Sequence, residues 1–191
     1  MTELERLIDE LTSGDEKRAD AAARALAGFG EQAADMLQRL YDNPDADLRW
    51  WALRAAAEIH CEVSKSLLTG GLSDQDSSVR CCAALGLRHQ PDPEAVPSLV
   101  ELLGSTDKLL ARLAADALAS LGEQSVPSLL MVMENGSQGA RLEAVRALAQ
   151  IGDQRSVPTL FSALDEDSAI MEYWADKGLE KMGIGMVFYK P

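Results

Sequence analysis

Two histidines and three cysteines are the side chains of this sequence that could bind a transition metal. His60, Cys61 and His89 are predicted near the ends of adjacent helices, and imidazole and thiolate are good zinc ligands. Cys81 and Cys82 are predicted at the other end of the helix that carries His89. A rise of about 1.5 Å per residue keeps them away from that group. Three scattered ligands without a C-x-x-C spacing are a weak zinc signal, so we predict no metal and no cofactor.

Sequence motifs of common enzyme sites are absent. The chain contains no G-x-S-x-G, no H-E-x-x-H, no P-loop and no G-x-G-x-x-G. We therefore predict no catalytic residue.

Aromatic and basic side chains are the second group that could carry function, because tryptophan, tyrosine and arginine are enriched at binding hot spots. On the predicted long helices, the positions opposite the apolar stripe carry six basic and three acidic residues in a chain of net charge −13. We predict a partner-binding strip on the concave face, made of Trp50, Arg54, Arg88, Arg112, Arg146, Tyr173 and Lys177. The alternative is that these arginines are ordinary solvated residues and that Trp51 and Trp174 pack into neighbouring repeats.

A repeat of 30 or 31 residues supplies the elements that position these side chains. Its equivalent positions are Gly30, His60, Pro91, Gly122, Gly152 and Gly183, each with an alanine eight residues earlier. Each repeat has a short apolar stretch with a proline in its first turn, such as SVPSLLMVM (125–133). A longer stretch follows, such as SQGARLEAVRALAQI (137–151), with apolar residues spaced by three and four. The pattern predicts two helices per repeat.

Helix boundaries are indicated by residues that favour helix ends. Asp76, Asp107 and Ser137 stand where N-caps are expected, and Gly122 and Gly152 stand where a helix needs a left-handed residue to end.

One helical hairpin cannot bury its apolar face alone, so the repeats are expected to stack into one elongated domain, residues 1–183. The predicted repeats are about 1–30, 31–60, 61–91, 92–122, 123–152 and 153–183. The tail IGMVFYKP (184–191) is predicted to fold back as a cap. The alternative is that Phe188 and Tyr189 dock to a partner.

The pattern D-x-x-V-R-x-x-A-A-x-x-L, as in DSSVRCCAALGL (76–87), followed by a V-P-x-L helix, resembles HEAT repeats. It is similar in particular to the short repeats of phycobilisome lyases. The resemblance runs from about Leu4 to Gly183 and implies an all-α fold, an α/α superhelical solenoid of about six hairpins.

The resemblance also implies ion pairs between neighbouring repeats. The family's aspartate falls on Asp45, Asp76 and Asp107, and its arginine on Arg49, Arg80 and Arg141. Ala19, Ala111 and Glu172 occupy the arginine position in the other repeats, so the ladder is expected to be incomplete, most clearly at the two ends. Deoxyhypusine hydroxylase, which resembles this type of HEAT protein, holds two irons with several His-Glu pairs. Here neither histidine is followed by glutamate, which argues against a di-iron site.

We predict a non-catalytic scaffold that binds another protein, through an acidic peptide or helix, on its concave face. The alternative implied by the resemblance is a phycobilin lyase-like or phycobilisome-associated protein that assists chromophore attachment. A chain of net charge −13 is unsuited to nucleic acid and anionic membranes. The absence of a secretion signal and of a long apolar run, together with an odd cysteine count, predicts a cytoplasmic protein.

Overall fold

Paired α-helices form the part of the chain that the computed structural model describes, residues 1–184. The helices are α1 Glu3–Leu11, α2 Glu16–Leu26, α3 Glu31–Tyr41, α4 Ala46–Ala56, α5 Glu62–Gly71, α6 Ser77–His89, α7 Val96–Leu102, α8 Lys108–Ser120, α9 Val126–Asn135, α10 Gln138–Ile151, α11 Val157–Leu164 and α12 Ala169–Lys181. Within residues 1–184 there is no strand, and each predicted repeat holds one helix pair. The predicted all-α class of HEAT-like hairpins is confirmed.

The helices form two compact units, Met1–Ser98 and the residues from Leu99 onward. In the first unit α2, α4 and α6 lie side by side, and α1, α3 and α5 pack against them in that order. In the second unit α8, α10 and α12 lie side by side, with α9 against α10 and α11 against α12. Each unit is therefore a two-layer helix packing, and α7 contains the boundary between the units. The single domain inferred from the repeat stays a prediction.

The core of each unit is built from the residue types that recur in the repeat. The alanine that precedes each repeat anchor by eight residues is buried in every copy, at Ala22, Ala52, Ala83, Ala114, Ala144 and Ala175. The apolar residue four positions later is also buried: Leu26, Ala56, Leu87, Leu118, Leu148 and Leu179. Small alanines let neighbouring helices approach closely, and the larger leucines fill the space between the two layers.

Helix ends follow the signals read from the sequence. The Asp76 side chain accepts the N–H groups of Ser78 and Val79, and Ser137 accepts that of Ala140. Gly152 ends α10 in the left-handed conformation, with φ of 72°. Asp107 and Gly122 play the corresponding roles at the two ends of α8. These caps satisfy backbone groups that a helix leaves unpaired at its ends.

The ion-pair ladder differs from the one implied by the family pattern. Arg49 forms a buried, two-pronged pair with Asp74, at 2.8 and 2.9 Å, and Arg141 pairs with Glu166. Both acids lie in the loop before the long helix, two residues ahead of the residue that caps it. The predicted aspartates, such as Asp76, instead hold the N–H groups of their own helices, which leaves the loop acids to face the preceding repeat. Arg80 donates to backbone carbonyls of its own loop.

The last described residues close α12. The N–H of Ile184 donates to the carbonyl of Leu179 at 2.8 Å, and Gly183 has a positive φ of 74°. The predicted cap or docking tail lies beyond this point, in residues 185–191, outside the described part of the chain. None of the helices within residues 1–184 has the length and apolarity that crossing a bilayer requires.

Candidate functional site

A cavity of about 420 Å³ lies between α4 and α6 in the first unit. We name it the α4–α6 cavity, and its lining residues are Arg54, Ala57, Glu58, His60, Cys82, Leu85, Gly86 and His89. Pockets for small ligands span roughly 300–1,000 Å³, so the cavity has room for one. His60, Leu85 and His89 are exposed and border its mouth, whereas Cys82 and Gly86 are buried at its floor.

Helical periodicity brings these residues together. On α6, Cys82, Leu85 and His89 are three and four residues apart, so they form one stripe along the helix. On α4 and the turn that follows it, Arg54 and Glu58 are four residues apart and form the facing stripe. The signal was therefore present in the sequence. The sequence did not show, however, that these two stripes face each other across a cavity.

Close packing at Gly86 fixes the floor of the cavity. A Cβ added there would lie 2.6 Å from Leu68 Cδ2 and 3.2 Å from Ala57 Cβ. Gln90 fixes the end of the same helix, because its amide donates to the carbonyls of Ala56 and Ala57 at 3.0 and 2.8 Å. The C-terminal ends of α4 and α6 are thus tied together, which sets the distance between the two sides of the mouth.

Arg54 brings one positive charge to the cavity between two carboxylates. Its Nη1 lies 2.5 Å from Glu58 Oε1, and its Nη2 lies 2.9 Å from Asp20 Oδ1. Burial lowers the pKa of Arg54, but the hydrogen bond to Glu58 and the charges of Glu58 and Asp20 outweigh this and raise the pKa. The guanidinium therefore stays charged, and only part of its five N–H donors is used by these two bonds.

Cys82 was predicted to lie too far away to join the histidines, yet it borders the same cavity as His60 and His89. It stands two turns before His89 on the same face of α6, so the cavity extends along both turns. Burial raises the pKa of the Cys82 thiol to about 12, and its sulfur lies 3.7 Å from the Trp50 carbonyl oxygen. The neutral thiol is a poor nucleophile and metal ligand. Within residues 1–184, no three His, Cys, Asp or Glu side chains lie close enough to hold a metal ion.

The second unit fills the corresponding place with side chains. Trp174 stands 92 residues after Cys82, and Lys181 stands 92 residues after His89. The stem of Lys181 lies over Gly152, where an added Cβ would be 3.2 Å from Lys181 Cδ, and its Nζ donates to the Gln150 carbonyl. The smaller Cys82 and the shorter His89 therefore leave the cavity open in the first unit.

The structure separates the predicted strip into exposed and buried members. In the first unit Arg88 is exposed, Arg54 is held by its two acids, and half-buried Trp50 stacks edge-on against Trp51 with ring centroids 4.9 Å apart. In the second unit Arg112, Tyr173 and Lys177 are exposed. The strip as a binding surface stays a prediction.

Arg146 is the strip residue with the most internal partners. It is 5% exposed, and it pairs with Asp116 and Glu143, each at 2.9 Å. Its Nη2 also donates to the carbonyl of Arg112 at 2.8 Å. The side chain therefore ties α10 to α8.

Helical hairpins with this repeat length define an α-helical repeat protein. Residues 4–81 and 64–139 match the family of HEAT repeats, and residues 140–166 match the PBS lyase HEAT-like repeat. The chain belongs to the HEAT-repeat family.

Two named relatives show which HEAT-repeat proteins the chain resembles in sequence. The chain is 45% identical over 76 residues to the bilin biosynthesis protein RpcF of Synechococcus sp. (strain WH8020), a match that covers 40% of this chain and 36% of RpcF. It is 37% identical over 78 residues to a phycocyanobilin lyase subunit beta of Nostoc sp. (strain PCC 7120), covering 41% of this chain and 39% of that protein. The chain thus spans less than half the length of these relatives.

Among solved structures, the complex of CpcE and CpcF of phycocyanin lyase from Nostoc sp. PCC7120 has the same fold. Its TM-score is 0.57 at 22% sequence identity, with 96% of this chain and 78% of that chain covered.

These comparisons correct the prediction of a non-catalytic scaffold that is not an enzyme. The relatives are named for bilin biosynthesis and phycocyanobilin lyase activity, and they favour the alternative stated with that prediction. The absence of enzyme motifs misled the interpretation, because those motifs report activated nucleophiles, phosphate loops and zinc sites. A protein that assists attachment by binding and orienting a chromophore needs none of them.

Proposed function

We propose that the chain is a bilin lyase-type protein, which binds an open-chain tetrapyrrole and assists its attachment to a partner protein. The observation that carries the proposal is the similarity to proteins named for bilin biosynthesis and phycocyanobilin lyase. The α4–α6 cavity supports it, because its volume of about 420 Å³, open to solvent at the mouth, offers a place for part of such a chromophore.

The chemistry of the cavity suits an open-chain tetrapyrrole. Such a ligand is a conjugated, largely apolar chain of four rings that carries N–H groups and carboxylate side chains. Ala57, Leu85 and Gly86 give the cavity apolar walls, Glu58 offers a hydrogen-bond acceptor, and Arg54 offers donors. The lining is about half polar and half apolar, which matches a ligand that carries both kinds of group.

The part of this chain in the reaction is to bind and orient the chromophore and to exclude water from it. The neutral Cys82 thiol gives no reason to assign the chain a covalent bond to the chromophore. We assign the bond that holds the chromophore in the product to the partner protein.

A protein partner is part of the proposal, since one relative is named as a subunit and the solved lyase is a complex of two chains. The exposed members of the strip in the second unit, Arg112, Tyr173 and Lys177, suit an acidic segment of such a partner. The cytoplasmic location inferred from the sequence stays a prediction.

Absorbance spectroscopy tests the function directly. Phycocyanobilin is added to the purified chain, and the visible spectrum is followed during titration. Attachment to apo-phycocyanin is then measured with and without the chain, and with and without a second lyase chain. We expect saturable spectral changes and faster attachment when the chain is present. A spectrum identical to free bilin, with no effect on attachment in any combination, would refute the proposal.

A further inference from the structure

We infer that the α4–α6 cavity binds an open-chain tetrapyrrole in one orientation, with its carboxylates at the mouth between His60 and His89 and its pyrrole N–H groups directed inward to Glu58. This assignment rests on the proposed function. It adds the site, the orientation and the recognising residues.

The interior of the cavity disfavours a carboxylate. Arg54 carries a positive charge, but Glu58 and Asp20 both contact it directly, and Asp20 also pairs with Arg24 at 2.6 Å, so the cluster has no positive charge in excess. A ligand carboxylate placed beside Arg54 would have to displace Glu58 or Asp20 from it and would meet the displaced carboxylate in a partly desolvated site. Pyrrole N–H groups are hydrogen-bond donors, and they gain from a carboxylate whose second oxygen remains free to accept.

The mouth has the opposite character. His60 follows α4 and His89 ends α6, so the two imidazoles approach the opening from different helices. No side-chain hydrogen bond within residues 1–184 involves either imidazole. Exposed imidazole N–H groups are donors for a carboxylate, which also keeps most of its hydration there.

Two backbone acceptors of α4 beside the mouth are already occupied. The carbonyls of Ala56 and Ala57, which would otherwise present negative ends of α4 near the mouth, accept the amide of Gln90. The same contact holds the last turn of α6, and with it His89, against α4. Gln90 is therefore a positioning residue for the mouth.

The mouth of the α4–α6 cavity has no counterpart of the same composition in the described residues of the second unit. There the residue equivalent to His89 is Lys181, whose ammonium group is bound to the Gln150 carbonyl. The residue equivalent to Cys82 is Trp174, which is much larger. The first unit alone combines the small floor residue with two imidazoles that have no partner in residues 1–184.

A matched pair of ligands tests the orientation. Biliverdin and its dimethyl ester share the ring system and its N–H groups, but the ester lacks the carboxylates. We titrate both into the full chain and record visible absorbance. The free acid is expected to bind about tenfold more tightly than the ester. A difference of this size corresponds to the contribution of a hydrogen bond to a charged group at an exposed site. Equal affinities overturn the orientation and leave the proposed function standing, whereas no binding of either ligand defeats both.

Variants then locate the contacts. The double variant His60→Ala/His89→Ala removes two exposed side chains, so it is expected to fold, and circular dichroism checks this. It should lose most of the preference for the acid while its affinity for the ester stays unchanged. Glu58→Gln should lower the affinity for both ligands, since both ligands keep the pyrrole N–H groups that Glu58 is inferred to accept. The control Arg39→Ala removes an exposed basic residue of α3 that does not border the cavity, and it should change neither affinity. Unchanged acid binding in the histidine variant, or unchanged binding of both ligands in Glu58→Gln, overturns the corresponding contact.

Discussion

Buried charges in this protein act mainly as ties between neighbouring helices. Arg146 and its partners Asp116 and Glu143 join α10 to α8, and Arg49 with Asp74 joins α4 to the loop before α6. A buried ion pair adds little net stability over an apolar pair, but removal of one member leaves the other charge without compensation. The residues that would look most suited to recognition are therefore partly structural.

The variant Arg146→Ala tests this at one residue. It leaves the carboxylates of Asp116 and Glu143 poorly exposed and unpaired, so we expect the free energy of unfolding to fall by about 2–4 kcal/mol. The measurement is urea unfolding followed by circular dichroism. Lys177→Ala is the control, because Lys177 and its partner Glu180 are both about half exposed and the loss of this pair should cost less than about 1 kcal/mol. Equal effects of the two substitutions would show that Arg146 is not a structural tie.

The Arg49–Asp74 pair is expected to make the stability of the first unit sensitive to acid. The hydrogen bond from Arg49 holds the pKa of Asp74 below its ordinary value of 3.8, against the opposing effect of burial. Because the folded-state pKa is lowered, the stabilisation is fully present above pH about 4 and is lost as the pH falls through the lowered pKa. We expect Asp74→Asn to lower the melting temperature clearly at pH 7, with a difference from wild type that shrinks below pH 4.

The exposed Asp35 provides the comparison for that experiment. Asp35→Asn should follow the wild-type melting temperature across the whole pH range. A difference between Asp74→Asn and wild type that stays constant from pH 7 to pH 3 would argue against the Arg49–Asp74 pair as its source.

At the scale of helices, Gly178 marks a close approach between neighbours. Gly178 on α12 packs against α10 and α11, and an added Cβ would lie 3.0 Å from Ala149 Cα of α10 and 2.8 Å from Leu160 Cδ1 of α11. Alanine is the better helix former by about 1 kcal/mol, but here the neighbour is backbone and cannot move aside cheaply. We expect Gly178→Ala to destabilise the protein by about 1–3 kcal/mol in urea unfolding.

Gly139 on α10 of the same unit is the matched control. An added Cβ there would meet only Lys108 Nζ, at 3.6 Å, which is an ordinary contact. Gly139→Ala should therefore leave stability unchanged or raise it by up to about 1 kcal/mol. If both alanine variants were equally stable, the close approach at Gly178 would not limit the packing of α12.

Much of the helical framework could be predicted because local chemistry determines it. The caps Asp76 and Ser137 and the helix-ending Gly152 act through backbone groups within a few residues, which a sequence displays directly. The buried alanines follow from the same periodicity.

Features that depend on neighbouring helices could not be predicted in the same way. The position of Arg146 is opposite the apolar stripe of its own helix, yet α10 has α8 and α12 on either side and the side chain is covered. The bridging acid Asp74 was missed because the family pattern pointed to Asp76, which caps its own helix. The α4–α6 cavity needed knowledge of which two helix faces meet and of how small Cys82 is beside its counterpart Trp174.

At the scale of the whole molecule, the net charge of −13 bears on how a partner is recognised. Such a charge repels acidic groups at distances up to about 10 Å at ordinary ionic strength, so the acidic segment proposed for the partner would have to be recognised through local contacts. Arg112, exposed on α8, is the strip residue best suited to test recognition by local contacts. Unlike Arg146, its side chain does not tie two helices together.

Charge reversal at two arginines separates local contact from overall charge. Arg112→Glu and Arg155→Glu each take the net charge from −13 to −15, but only the first alters the strip. Binding to apo-phycocyanin and to a phycocyanobilin lyase subunit is measured by titration calorimetry at fixed salt. We expect Arg112→Glu to weaken one of these complexes by about tenfold or more, since a buried contact becomes a like-charge pair, and Arg155→Glu to have little effect. Equal weakening would mean that the overall charge governs association. Two variants that bind like wild type would remove the strip from the interface and leave the acidic remainder of the surface to be searched.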